Sequence, residues 1–291
     1  MKFKKYINVL VLCIIILAII SCGFGLFSSG GSGEYEFKTI NNEIVKINGD
    51  GIYKDDSISG MSQSKASDLV TLVMGVPLLL ISLYFANKNS IKGRLLLTGT
   101  IGYFLYTYMS YTFLLMYNKL FLVYVILMSA SLFTFILSML SFDINKLALH
   151  FNKKLPVKFL GGFQIFLAIA LGMLWLGKII PSVLSGLVPV GLEHYTTLVI
   201  QGMDLGVIVP VGILSGILLI KRNPVGYLLS SVFIIKGITM LTCLSAMIIN
   251  QALNGVEMGI VEIILFPLFN LVIIVCLWLL LKNINEKVEI Q

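Results

Sequence analysis

The stretch "IISCGFGLFSSGGSG", Ile19 to Gly33, carries two readings that differ by one membrane span. An aliphatic residue three before a cysteine and a small one just before it, behind a basic start and an apolar run, is the pattern of a lipoprotein cleavage site. Ile19, Ile20, Ser21 and Cys22 comply, and on that reading Cys22 is lipidated and everything ahead of it is removed. Yet the apolar run continues through Cys22 as Gly-Phe-Gly-Leu-Phe, as the outer end of a retained membrane helix would. Choosing between seven and eight spans requires the rest of the chain.

Composition sets the class. With 58% hydrophobic and 12% charged residues over 291 positions, the chain lies far from the roughly half apolar, quarter charged mix of soluble domains. In hydrocarbon every backbone amide must be paired internally, so apolar runs of about 20 residues are spanning helices. Eight such runs lie at about 7–27, 68–87, 95–117, 120–142, 159–181, 197–220, 224–249 and 260–281. None has the period-2 alternation of a barrel strand. The expected fold is an all-α polytopic membrane bundle of about eight transmembrane helices with a small external β-hairpin segment.

Basic residues in short loops mark the cytoplasmic side. Lys2, Lys4 and Lys5, the Lys88 to Arg94 group, the Lys146 to Lys158 group, Lys221 and Arg222, and Lys282 and Lys287 all fall on one side when both termini are cytoplasmic. The +7 net charge is dispersed over helix ends and forms no stripe, so it is an insertion signal for a cell membrane and not a nucleic-acid footprint. The organisation that follows is a first transmembrane helix, or signal and lipobox segment, over 1–27, and an external β-rich segment over 28–67. Transmembrane helices two to four cover 68–142, a cytoplasmic loop 143–158, helices five to eight 159–282, and a cytoplasmic tail 283–291.

Within the external segment, "SSGGSG" is a flexible linker by composition. The runs "EYEFKTI" and "EIVKI", broken at Asn41-Asn42 and followed by Asn48-Gly49-Asp50-Gly51, alternate polar and apolar residues as hairpin strands do. A segment this short and without cysteine buries no core of its own. It is expected to rest on the helix ends through Tyr35, Phe37 and Tyr53.

The two halves of the chain share a spacing. Pro77, Lys88, Gly93 and Leu95-Leu96 recur as Pro210, Lys221, Gly226 and Leu228-Leu229, and Gln63 and Asp68 precede the first set as Gln201 and Asp204 precede the second. The pattern predicts a 4+4 parallel repeat, both halves having one orientation as in some transporters. The fifth helix is then the counterpart of the first, and cleavage at Cys22 would remove one half's opening helix. A retained first helix is the expectation.

Lys236, in "FIIKGIT" near the middle of the seventh helix, is the sharpest anomaly. An ionisable group at that depth costs at least about 2.5–3.5 kcal/mol on insertion scales, so it should face the interior and have a partner. Asp204, within a couple of helical turns of its level, is the first candidate and Glu262 the second. Together Asp204, Lys236 and Glu262 form the candidate intramembrane polar site, either a pair that fixes helix register or a ligand or proton site. Gly202, Gly206, Gly212 and Gly216 have the small-xxx-small spacing of close helix packing. Tyr103, Tyr106, Tyr108 and Tyr111 lie too deep for an interfacial belt and need hydroxyl partners. Cys13, Cys22, Cys243 and Cys276 form no C-x-x-C, the two histidines form no ligand cluster, and no nucleotide, cofactor or hydrolase motif is present. Glu193-His194 is a weak acid–base pair at a helix entrance.

At "GDGIYKDDS", "DLVTLVMGVPLL", "GRLLLTGTIGYFLYTYMSY", "NKLFLVYV", "DLGVIVPVGILSG" and "KRNPVGYLLSSVFIIKG", over about residues 50–240, the chain resembles a family of bacterial multi-pass membrane proteins with no assigned activity. The resemblance implies topology and no site residues. The expected function is that of a non-enzymatic integral membrane protein without cofactor, a small transporter with a polar intramembrane site. The alternative is a sensor or accessory subunit whose external segment binds a protein partner. Beyond the lipid bilayer, the partners to expect are such a protein or a second copy.

Overall fold

The computed structural model describes residues 1–286, apart from the side chains of Val261 and Glu262. Nine helices are described: α1 (Lys4–Phe27), α2 (Ile58–Asn87), α3 (Ile91–Leu114), α4 (Phe121–Leu140), the short α5 (Ile144–Leu149), α6 (Val157–Ser185), α7 (Val199–Ile220), α8 (Pro224–Leu253) and α9 (Ile260–Lys282). Among the described residues, seven of the eight long helices are both long and apolar enough to cross a membrane. The eighth, α3, is of full length at 24 residues but carries threonines, glycines and tyrosines where the others carry Leu and Ile. It is packed between α2, α4 and α8, and a helix sheltered from lipid needs no apolar surface. The protein is an all-α multi-pass membrane bundle with one small hairpin.

The run through Cys22 is helical without a break to Phe27, and α1 buries Ile7, Val11, Ile14, Ala18 and Cys22 against α2 and α4. Helix α2 starts at Ile58, ten residues ahead of its apolar run. Ser57 caps it by accepting the Gly60 N–H at 3.0 Å. Its first turns are small and polar because they pack on α8, where Ser59 donates to Gln251 at 2.9 Å.

The external segment is correspondingly shorter, and its strands β1 (Tyr35–Lys38) and β2 (Ile44–Ile47) pair antiparallel with Tyr35 opposite Ile47. The docking residues differ in part from those expected. Tyr53 is buried, with 1% exposure, but Tyr35 and Phe37 are 42% and 44% exposed, and Val45 and Ile47 face inward instead. Strand β2 lies on the bundle and β1 is the outer strand, so β1 loses the contact; Phe37 meets the His194 ring edge-on at 6.2 Å.

The helix pairs α2–α3 and α7–α8 share backbone features at an offset of 133 residues, which sets Gln63 and Asp68 opposite Thr196 and Gln201 and not opposite Gln201 and Asp204. Each of α2 and α7 contains one π-helical turn, Thr71–Gly75 and Asp204–Ile208, ahead of Pro77 and Pro210. Each ends in a turn with one positive-φ residue, Asn89 (62°) or Arg222 (54°). Ser90 N–H then bonds to Phe85 O and Asn223 N–H to Leu218 O, both residues capping the next helix. A Cβ on Gly93 would lie 2.5 Å from Phe85 Cβ, and one on Gly226 2.4 Å from the Leu218 carbonyl carbon, so both turns require glycine. The helices that follow, α3 and α8, cross where Gly99 meets Ile235 and the Val232 carbonyl; 99 and 232 are themselves equivalent positions.

Candidate intramembrane ligand site

In the first half the space between the helices is filled. Tyr53, Tyr103, Tyr108 and Tyr124 are almost fully buried there, and α1 lies along α4. Asp68, 1% exposed, accepts from Tyr53 at 2.6 Å and Tyr111 at 3.0 Å. A Cβ on Gly25 would lie 1.8 Å from Asp68 Oδ2, so α1 must present a glycine to the carboxylate. Cys22 sits beside it, its Sγ 3.8 Å from the Tyr108 hydroxyl.

The second half is open. Helix α6 packs on α7 and α9 on α8, and α6 and α9 meet each other through Phe163 and Phe166 against Phe269, at ring separations of 6.5 and 5.9 Å. Between them, on the hairpin side, lies a cavity of about 580 Å³ bounded by α2, α3, α6, α7, α8, α9 and the 190–198 segment. That volume is within the range of small-molecule pockets. Its walls are mostly apolar, with Leu171, Leu174, Leu244, Met247 and Phe266 among them, and its polar groups come chiefly from α2 and α3, with Asp204 on α7 and Lys236 on α8.

Lys236 and Asp204 both line this cavity, but they are not in contact as expected. Among the described residues no salt bridge joins them. Lys236 Nζ lies 4.1 Å over the centroid of the Tyr106 ring, a cation–π arrangement. The Tyr106 hydroxyl donates to Asp204 Oδ1 at 2.8 Å, and Trp175 Nε1–H donates to Oδ2 at 2.8 Å. One aromatic ring therefore separates the two charges. Asp204 is the first residue of the π turn, and the extra residue of such a turn shifts the register of the side chains around it, a common device at functional positions. Glu262 has its side chain outside the described residues.

The other polar side chains sort between packing and site. Of the four inward tyrosines each has a partner: Tyr103 bonds Thr71 at 2.8 Å, Tyr106 Asp204, Tyr108 Cys22, and Tyr111 Asp68 and the Ser64 carbonyl. Tyr106 and Tyr111 also face the cavity. Gly212 and Gly216 allow the close approach of α7 to α6, at Ala168 and the Gly161 carbonyl, but a Cβ on Gly202 or Gly206 would meet nothing within 4 Å. The expected tight glycine contact thus holds for the second pair alone, because Gly202 and Gly206 lie on the exposed face of α7 while Asp204 between them turns inward to Trp175 of α6.

Sequence reasoning missed the closure over the cavity. Ser57 donates to Glu193 at 2.5 Å, His194 Nε2 lies 3.0 Å from the Asp55 carbonyl, and Tyr195 donates to Asp56 at 3.1 Å. Asp56 also accepts the Met116 N–H at 3.0 Å. Burial pushes the Asp56 carboxyl up to about 7 despite those donors, and pushes Glu193 up as well. The one available signal was Glu193-His194 at a helix entrance, which reads as solvated surface.

Fold and cavity together define a multi-pass helical membrane protein with a polar cluster in an otherwise apolar intramembrane cavity. No protein-family model, curated protein or solved structure matches the chain, so its function is argued from its own geometry.

Proposed function

We propose that the protein is a transporter or carrier of a small amphipathic molecule, non-enzymatic, seated in a cell membrane with both termini in the cytoplasm. The observation that carries this reading is the cavity at the repeat interface, where an ammonium, Lys236, with no hydrogen-bond partner among the described residues shares apolar walls with Asp204 on its π turn. Binding at a repeat interface beside an irregular helix is the plan of many secondary transporters. The asymmetric positive charge of the terminus-side loops supports the orientation.

The test is solvent access from the hairpin side. In a variant with the four native cysteines replaced by serine, Leu244→Cys should react with a membrane-impermeant thiol reagent added on that side, and a soluble amphiphile that occupies the cavity should slow the reaction. A Leu244→Cys as unreactive as one placed at the buried Leu127 would refute the reading. A second reading, an accessory subunit that docks a protein partner or a second copy on the hairpin, draws on the outer face, where Ile40 and Ile44 are 98% and 64% exposed on a strand pair with open edges. Co-purification that depends on Ile40 and Ile44, in a protein whose Leu244→Cys is unreactive, would favour it.

A further inference from the structure

A second pocket, of about 290 Å³, lies on the opposite, terminus side where α3 begins and α4 ends. Lys2, Arg94, Lys146 and His150 line it together with one acid, Asp143. Asp143 is already engaged: it caps α5 by accepting the Lys146 N–H at 3.2 Å and pairs with Lys146 Nζ at 3.8 Å. Arg94 has no carboxylate partner among the described residues. Its Nη2 donates to the Ser141 carbonyl at 2.7 Å and hydroxyl at 3.1 Å, and its guanidinium lies 4.3 Å over the Phe142 ring. These contacts fix the plane of the group and use one of its nitrogens. Nε is buried without a hydrogen-bond partner, and Nη1 has none among the described residues.

Capping the carbonyl end of α4 accounts for Nη2 but not for a stacked guanidinium whose Nη1 is left without a partner among the described residues, in a pocket shared with Lys2. A planar donor fork held in place is the group that recognises phosphate. The pocket sits at the ends of membrane helices, at the depth of lipid head groups, on the side that the loop charges mark as cytoplasmic. We infer that this pocket binds a phosphate group, and that its source is the head group of an anionic membrane lipid. The site is separate from the cavity and does not depend on what the cavity carries.

The full chain in nanodiscs of phosphatidylcholine with a minor share of phosphatidylglycerol tests this by native mass spectrometry of retained lipid. Phosphatidylglycerol should be retained over phosphatidylcholine, and Arg94→Gln and Lys2→Gln should each lower that retention about fivefold. Lys153→Gln with Lys158→Gln, which removes two exposed charges on the same side but outside the pocket, should leave it unchanged. Lys2 is exposed, so its variant keeps the test valid should Arg94→Gln fold poorly. Equal losses in pocket and control variants, or no preference for phosphatidylglycerol, would overturn the site. An Arg94-dependent rise in melting temperature with inorganic phosphate in detergent, without retained phosphatidylglycerol, would keep the site and overturn the lipid as its source.

Discussion

If Tyr106 sits between Lys236 and Asp204, the two charges should be coupled, but less strongly than a contact pair. With Nζ 4.1 Å over the ring and the hydroxyl 2.8 Å from the carboxylate, the charges lie beyond the 4.0 Å of a contact pair, so their attraction stays below about 4 kcal/mol at an effective dielectric near 20. A directly bonded buried pair loses about 3–5 kcal/mol when one member is removed. A double-mutant cycle of Lys236→Met and Asp204→Asn should therefore give a coupling smaller than that loss, measured by reversible unfolding in mixed micelles. Tyr106→Phe keeps the ring under the ammonium but removes a donor to a carboxylate, and should cost about 1.5–3 kcal/mol. Tyr106→Leu should cost more, because it removes the ring as well. The relay would be refuted by a costless Tyr106→Phe together with a coupling near zero. A coupling of about 3–5 kcal/mol would restore the direct pair.

Further outcomes follow from the same geometry. Intact mass of the purified protein should show that the chain ahead of Cys22 is retained and that Cys22 carries no lipid, since α1 supplies Ile7, Val11, Ile14 and Ala18 to the core; a chain starting at a diacylated Cys22 would contradict this. The segment 28–67 expressed alone should show undispersed, unprotected amides, because Tyr53, Val45 and Ile47 depend on the bundle for burial. Asp56, near 3.9 when unfolded and about 7 in place, binds its proton more tightly in the folded state. Its contribution to folding stability should thus be fully present below about pH 4 and weaken by up to about 1.4 kcal/mol per unit as pH rises to about 7, then level off. The unfolding free energy in mixed micelles should fall across that window, and the fall should be smaller in Asp56→Asn. Finally, Gly93→Ala and Gly226→Ala should destabilise by similar amounts, about 1–3 kcal/mol each in the same unfolding assay, because their new methyl groups would meet equivalent backbone atoms.

Much of this was legible before any coordinates, and the boundary has a physical cause. Hydrocarbon tolerates a helix only if its surface is apolar, so lipid-facing spans show in the sequence, and even the sheltered α3 kept enough Leu and Phe to register. The first turns of α2 did not show, because Ser59, Gln63 and Ser64 face protein and obey the rules of a polar interior. The shared spacing was readable because proline and glycine are demanded by backbone geometry, which survives when side chains diverge. Lys236 and Asp204 were readable as anomalies of depth. Their partners were not, because spacing along a helix gives height and not the azimuth of a ring on another helix, and nothing in the letters distinguishes Tyr106 from Tyr103. Tyr35, Phe37 and Tyr53 were all expected at the contact, but which strand would face the bundle depended on the tertiary fold, so Tyr53 is buried and Tyr35 and Phe37 are exposed.

The duplication also suggests why one half could become a site. Both halves keep the π turn, the proline and the glycine-closed turn, yet the first residue of the π turn is Thr71 in one and Asp204 in the other. Thr71 satisfies Tyr103 inside a dry core, and Asp204 faces a cavity. The turn after the hairpin buries Tyr53 in the first half, whereas the 190–198 segment of the second half places Tyr195 against Gly60 at the edge of the cavity and is tied to the first half through Ser57, Asp55 and Asp56. Those ties are polar and partly buried, and the groups that form them include Asp56 and Glu193, both costly to keep charged where they lie. Opening the second half would break these few bonds and the single edge-on contact of Phe37 with His194, while opening the first would expose Tyr53, Tyr108 and Asp68 at once. On the proposed carrier reading, this asymmetry makes the first half the scaffold and the second half the part that moves to admit a ligand.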